Sequence, residues 1–182
     1  MWRIKNLKTP FGITLIIFIC IVCLKVTIGI LNSNDIYLQK QHQIDMLLTV
    51  VAAFSGIMVF MFKVKDNVIR EVLIAVFSFV LIVSIVKCLF LYSDARYIYF
   101  TSPDKKESFV VEETMHSEIY QISNSGMFKT HLVNIRSDDG FRVFSNNKYQ
   151  LKWVEPNLLK IHYVFDISSN KYKEVEVRYE ND

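Results

Sequence analysis

Three apolar runs, at 12–31, 46–62 and 72–92, fill the first half of this 182-residue chain, and no run of that length follows. A hydrocarbon core about 30 Å thick takes about 20 apolar residues of helix to cross. The runs therefore predict a membrane α-helical region of three transmembrane helices at 1–94. After Tyr92 the pattern becomes compatible with water, so 95–182 reads as a separate tail domain.

Charge divides the chain at the same place. Residues 1–94 hold 9 Lys/Arg against 5 Asp/Glu, whereas 95–182 hold 12 against 13. The net charge of +3 thus comes from the membrane half and marks orientation rather than a nucleic-acid surface. The tail has no basic cluster, so no nucleic-acid partner is expected.

Arg3, Lys5 and Lys8 precede the first run, and Lys63, Lys65 and Arg70 join the second to the third. The link between the first two carries only Lys40, beside Asp35 and Asp45. Basic flanks stay inside, which puts the N-terminus in the cytoplasm and, after three crossings, the tail outside the plasma membrane. Arg96, Lys105 and Lys106 oppose this, but they open a long domain, where charge counts for less. The basic start resembles a secretory signal. The first run is longer than a signal core, however, and 32–38 offers no small-x-small cleavage site, so it is expected to stay as a helix. Trp2 on one side, and Tyr37, Tyr92, Tyr97 and Tyr99 on the other, sit where interfacial rings belong.

The short link at 64–71 predicts an antiparallel hairpin of the second and third helices. Ala52, Ala53, Ser55 and Gly56 form a small-residue patch where another helix can approach closely. Lys25 and Lys87 are the most unusual residues of the membrane half, each placed five or six residues short of the outer end of its run. A charge at such depth costs several kcal/mol unless it snorkels or pairs. Asp45 opens the second run and Asp94 follows the third, so Lys25–Asp45 or Lys87–Asp94 contacts, or lipid phosphates, would satisfy the ammonium groups. Together Lys25, Lys87, Asp45 and Asp94 define a possible intramembrane polar cluster.

Cys20-Ile-Val-Cys23 has the spacing of thiol redox motifs and resembles that of membrane quinone-linked enzymes of the vitamin K epoxide reductase type. That resemblance implies a disulfide-forming activity. The family adds loop cysteines and at least a fourth span; here 32–45 has no cysteine and Cys88 is the only other thiol. The expected role of these thiols is that of small apolar side chains.

In the tail the period is two. At 148–154, Tyr149, Leu151 and Trp153 alternate with Gln150 and Lys152; at 158–165, Leu159, Ile161, Tyr163 and Phe165 oppose Lys160 and His162; at 173–179, Val175, Val177 and Tyr179 oppose Glu174, Glu176 and Arg178. Such alternation predicts strands with one buried face. Turn signals such as Ser123-Asn124-Ser125-Gly126, Asp138-Asp139-Gly140 and Glu155-Pro156-Asn157 cut the tail into seven or eight segments. The prediction is an all-β antiparallel domain built as a meander, sandwich or small barrel.

Ser102-Pro103-Asp104-Lys105 resembles the S-P-D-G-K hairpin of propeller blades, with Lys105 in place of Gly; the tail is too short for a propeller. The layout as a whole is similar to small three-pass membrane proteins of low-GC Gram-positive bacteria with a C-terminal extracytoplasmic β-domain. That resemblance implies a bacterial plasma membrane and carries no activity with it.

Catalytic signals are lacking. His116-Ser117-Glu118 falls short of the three ligands a zinc site needs. Five scattered glycines cannot cradle a phosphate. Glu112-Glu113 reads as a solvated strand end. No catalytic, cofactor or metal site is expected. The lipid bilayer and a protein or envelope component are the expected partners. The leading expectation is a non-enzymatic, membrane-anchored binding protein; the alternative is an immunity or accessory subunit acting through its helices, with a thiol redox enzyme third.

Overall fold

The computed structural model describes residues 10–87, 89–90 and 94–180. Trp2, Arg3, Lys5, Lys8, Cys88 and Tyr92, which entered the reading above, lie outside the described residues. Three long apolar helices are followed by two antiparallel sheets: a membrane α-helical part plus an all-β domain.

The helices are α1 (Pro10–Asn32), α2 (Gln41–Lys63) and α3 (Asn67–Lys87). Their bounds follow backbone chemistry rather than hydropathy alone. Helix α3 starts five residues before its apolar run because Asp66 Oδ1 accepts from Val68 N at 2.9 Å and Ile69 N at 3.2 Å, capping the first turn. Lys87 is the last residue of α3, and residues 89–90 take π-helical geometry. Helix α2 starts directly after Lys40, which turns the chain with a left-handed φ of 55°. Asp45 therefore lies within α2.

Helix α2 packs against both α1 and α3. The three meet at Gly56, where an added Cβ would come within 2.7 Å of Phe77 Cε1 and 3.3 Å of Phe18 Cε2. Phe18 and Phe77 touch edge to face at 6.4 Å, and Phe60 adds a ring 5.6 Å from Phe77. Beside this layer Ala53 and Ser55 are buried. Small side chains let helices approach closely and gain packing that lipid alone does not provide.

The β unit takes Ser33–Gln39 as well as the chain from Ser93 onward. Strand β1 (Ile36–Leu38), from the α1–α2 connection, joins β2 (Arg96–Thr101), β3 (Ser108–Glu113), β4 (Ser117–Ile122) and β5 (Phe128–Ile135) in a sheet of order β1-β5-β4-β3-β2. Asp35 and Lys40, both with positive φ, turn the chain on either side of β1. Bonds from His131 N to Asp35 O and from Gln39 N to Met127 O, both 3.0 Å, lengthen the pairing. Because β1 and the tail share a sheet, the α1–α2 connection and the tail lie on one side of the bilayer. Helices α2 and α3 therefore cross it together or not at all.

The second sheet has the order β6-β7-β8, from β6 (Tyr149–Glu155), β7 (Leu158–Asp166) and β8 (Lys171–Arg178). One core joins the two sheets: Phe109, Val111, Ile119 and Ile135 from the first, Leu159, Ile161, Tyr163 and Val177 from the second, and Val143 and Phe144 from the segment between. Phe109 contacts Trp153 and Tyr179 with ring centroids 5.6 and 5.0 Å apart. Lys105 takes a φ of 61°, the conformation glycine fills in the S-P-D-G-K hairpin, at a local cost of about 1–2 kcal/mol. Bonds from Lys105 N to Ser102 O (2.9 Å) and from Glu107 N to Ser102 Oγ (3.0 Å) hold that turn.

Candidate functional site

Within the helical unit, a cavity of about 450 Å³ opens between the helices at the end where the chain passes into the β unit. Two helical turns separate three of its polar residues from the aromatic layer: Lys25 lies seven residues after Phe18, Thr49 seven before Gly56 and Ser84 seven after Phe77. Seven residues return a helix to nearly the same face, about 10 Å along its axis. The helices that meet at Gly56 thus present Lys25, Thr49 and Ser84 to one polar chamber. Asn32 from α1, Gln41, His42 and Asp45 from α2 and Lys87 from α3 complete its polar wall, and Ile28, Met46 and Val80 add apolar side chains.

Lys25 Nζ stands 3.0 Å from Asp45 Oδ1 and donates to Thr49 Oγ1 at 2.5 Å. Thr49 in turn donates to the Asp45 carbonyl at 2.7 Å. The pair sits on the chamber wall, the Lys25 side chain 33% and Asp45 53% exposed. Lys87 faces the same chamber and makes no hydrogen bond or ion pair with any described residue. Asp94, the fourth predicted member, belongs to the β unit, where its carboxylate binds the Arg142 guanidinium and is held below the usual carboxylate range by that bond. The structure thus brings Lys25, Asp45 and Lys87 together at one cavity and gives Asp94 a different partner. Cys20 and Cys23 are exposed on α1.

The β unit contains a second polar constellation that the sequence reading missed. Glu112 and Glu113 are no solvated strand end: they are 6% and 1% exposed. Glu113 shares the inner face with Phe109 and Val111. Its carboxylate accepts from Phe144 N and Ser145 N, both at 2.8 Å, from Ser117 Oγ at 3.1 Å and from Ser145 Oγ, tying 143–145 to the sheet. Glu112, on the opposite face, forms an ion pair with Lys129 of β5, and Lys129 Nζ lies 3.8 Å from the centre of the Tyr120 ring. Tyr120 donates to Glu118 and meets Tyr37 of β1 edge to face at 5.5 Å.

Burial, reinforced by Glu118, raises the Tyr120 pKa, so its phenol is a donor at neutral pH. Burial lowers the Lys129 pKa, against the pull of Glu112. The signal for Glu113 was available: in Phe109-Val-Val-Glu-Glu113 it is in phase with the apolar residues. Among the described residues no group of three or more His, Cys, Asp or Glu is placed to hold a metal ion. His116 pairs with Glu118 at 3.4 Å instead.

No protein-family model matches the chain, and no curated protein or solved structure is found to be similar to it.

Proposed function

We propose that this chain is a non-enzymatic, membrane-anchored binding protein that presents its β-domain on the outer face of a bacterial plasma membrane. One observation carries the binding reading, the edge at β2. That strand ends the five-stranded sheet, with no strand beyond it among the described residues. Sheet edges are usually blunted by lysine, proline or bulges. Strand β8 follows that rule with Lys171, Lys173, Glu174 and Glu176, whereas Arg-Tyr-Ile-Tyr-Phe-Thr in β2 has no lysine, no proline and an unbroken register with β3. Tyr99 is 56% exposed there. An extended segment of a protein partner can add to such an edge, its backbone supplying affinity and the tyrosine specificity. The outward orientation rests on the basic flanks of the helices.

A photo-crosslinking side chain at Tyr99, with one at Tyr172 on β8 as the comparison, tests this in intact cells. A discrete adduct from position 99 that is absent from 172 is the expected result. Equal labelling from both, or none from 99, overturns it. A reporter fused after Asp182 tests orientation, since activity only in the cytoplasm reverses it.

A second reading, an accessory subunit working through its helices, is favoured by the polar cavity. A chimera with a foreign anchor separates the two readings only if it keeps Ser33–Gln39. A tail without β1 lacks a strand of its own sheet.

A further inference from the structure

Among the described residues that line it, the chamber between the helices carries one positive charge more than it neutralises. Lys25 is committed to Asp45 and Thr49, which leaves that pair neutral. Lys87 faces the same space with no described partner. A charge at the margin of a hydrocarbon core is costly when unmatched, and basic pockets between transmembrane helices match it with anionic headgroups. Ser84 lies three residues before Lys87 on one face of α3 and adds a hydroxyl donor to the same wall. Val80, three residues after Phe77, lines the part of the chamber nearer the aromatic layer, and Ile28 and Met46 add apolar wall about ten residues from that layer, the same sequence distance as Lys87. The volume, about 450 Å³, falls in the ~300–1,000 Å³ range of ligand sites.

We propose that this cavity is a stoichiometric binding site for the phosphate group of an anionic lipid, with Lys87 as the charged contact and Ser84 as a hydroxyl donor. A single unmatched ammonium suits a phosphodiester, which carries one negative charge. The neutral Lys25–Asp45 pair shapes the wall without competing for that charge. The site is independent of the β2 edge, so either can fail without the other.

Native mass spectrometry of the full chain in detergent, titrated with phosphatidylglycerol, with diacylglycerol of the same acyl chains and separately with inorganic phosphate, tests the assignment. One phosphatidylglycerol per chain should be retained at least tenfold more tightly than diacylglycerol. Lys87→Gln should abolish that preference and Lys87→Arg should keep it. Lys160→Gln, on the exposed surface of the β unit, should leave it unchanged. A thermal transition of Lys87→Gln within a few degrees of the parent shows that the loss is not unfolding. Should Lys87→Gln unfold, Ser84→Ala carries the test, with a several-fold weakening expected.

Displacement of the lipid by millimolar inorganic phosphate would keep the phosphate chemistry and assign its source to solution. Equal retention of phosphatidylglycerol and diacylglycerol overturns the proposal. So does a preference that survives Lys87→Gln in a folded protein, or a crosslink from Ser84 to another protein's helix in a complex that retains no lipid.

Discussion

Two lysine–carboxylate pairs, one in each unit, show how differently the same chemistry can be used. Lys129 and Glu112 have side chains 3% and 7% exposed, and the ammonium lies over the Tyr120 ring. Lys25 and Asp45 are 33% and 53% exposed on the wall of a cavity. An ion pair taken fully out of water has given up solvation that only its partner and polar neighbours return. A half-exposed pair has given up little and gains little. The buried pair is thus a fixed part of the β-domain, and breaking it strands a charge. The cavity pair is a lining whose removal leaves both groups reachable by water or headgroups.

The largest effect that follows is on the buried pair. Lys129→Met leaves Glu112 buried without its ammonium and should cost about 3–5 kcal/mol, read as a shift of the β-domain's denaturation midpoint in the full chain. Replacing both, as Lys129→Met with Glu112→Leu, should recover most of that loss, because two apolar groups leave no charge behind. A double variant as unstable as the single one would show that the neighbours depend on the charges, and would make the buried pair more than a matched unit.

A smaller, pH-dependent effect belongs to the same constellation. Tyr120 has its pKa raised by burial first and by Glu118 second, while Glu112, Lys129, Tyr37 and His131 stand around it. Once pH passes about 10, the unfolded tyrosine releases a proton that the folded one keeps. The folded state then binds more protons, so stability falls by about 1.4 kcal/mol per pH unit for this residue. Lys129 acts oppositely, since its lowered pKa lets stability rise with pH, but only until the unfolded lysine has deprotonated near ~10.4. The decline should therefore be measured above pH ~10.5, where Tyr120→Phe should make it shallower, while Tyr37, Tyr163 and Tyr179, whose pKa values burial also raises, keep part of the slope. An unchanged slope would mean that Tyr120 ionises freely and that this face is less enclosed than its geometry implies.

The helical unit was legible because its signals are local. Runs of 17–21 apolar residues mark helices by length alone, and Lys25 and Asp45 stand out by their place in or beside those runs. The strands β6, β7 and β8 were legible from alternation. The helix starts were not, because Asp66 caps α3 through two backbone bonds that hydropathy does not register. Strand β1 was not legible either: three residues carry no period, and what makes them a strand is β5, some ninety positions away. The Glu113 site was partly legible, in phase with Phe109 and Val111. Its partners at 144 and 145 come from a distant turn that only the fold brings back.

The smallest effect is the sharpest test of the contrast between the pairs. Lys25→Met removes the ammonium that joins α1 to α2, yet Asp45 is more than half exposed and can keep its solvation. Thr49 retains its bond to the Asp45 carbonyl at 2.7 Å, so the first turns of α2 stay tied. The expected loss is about 0.2–1 kcal/mol in thermal or denaturant unfolding of the helical unit in detergent, well below that of Lys129→Met. A loss of 3 kcal/mol or more would mean that lipid or protein seals the chamber and that the two pairs share one energetic regime. A small loss leaves Lys25 free to be selected for the shape and neutrality of the cavity wall. Stability would then account for keeping the lysine of the β-sheet, and the occupant of the cavity for keeping the one in the helix.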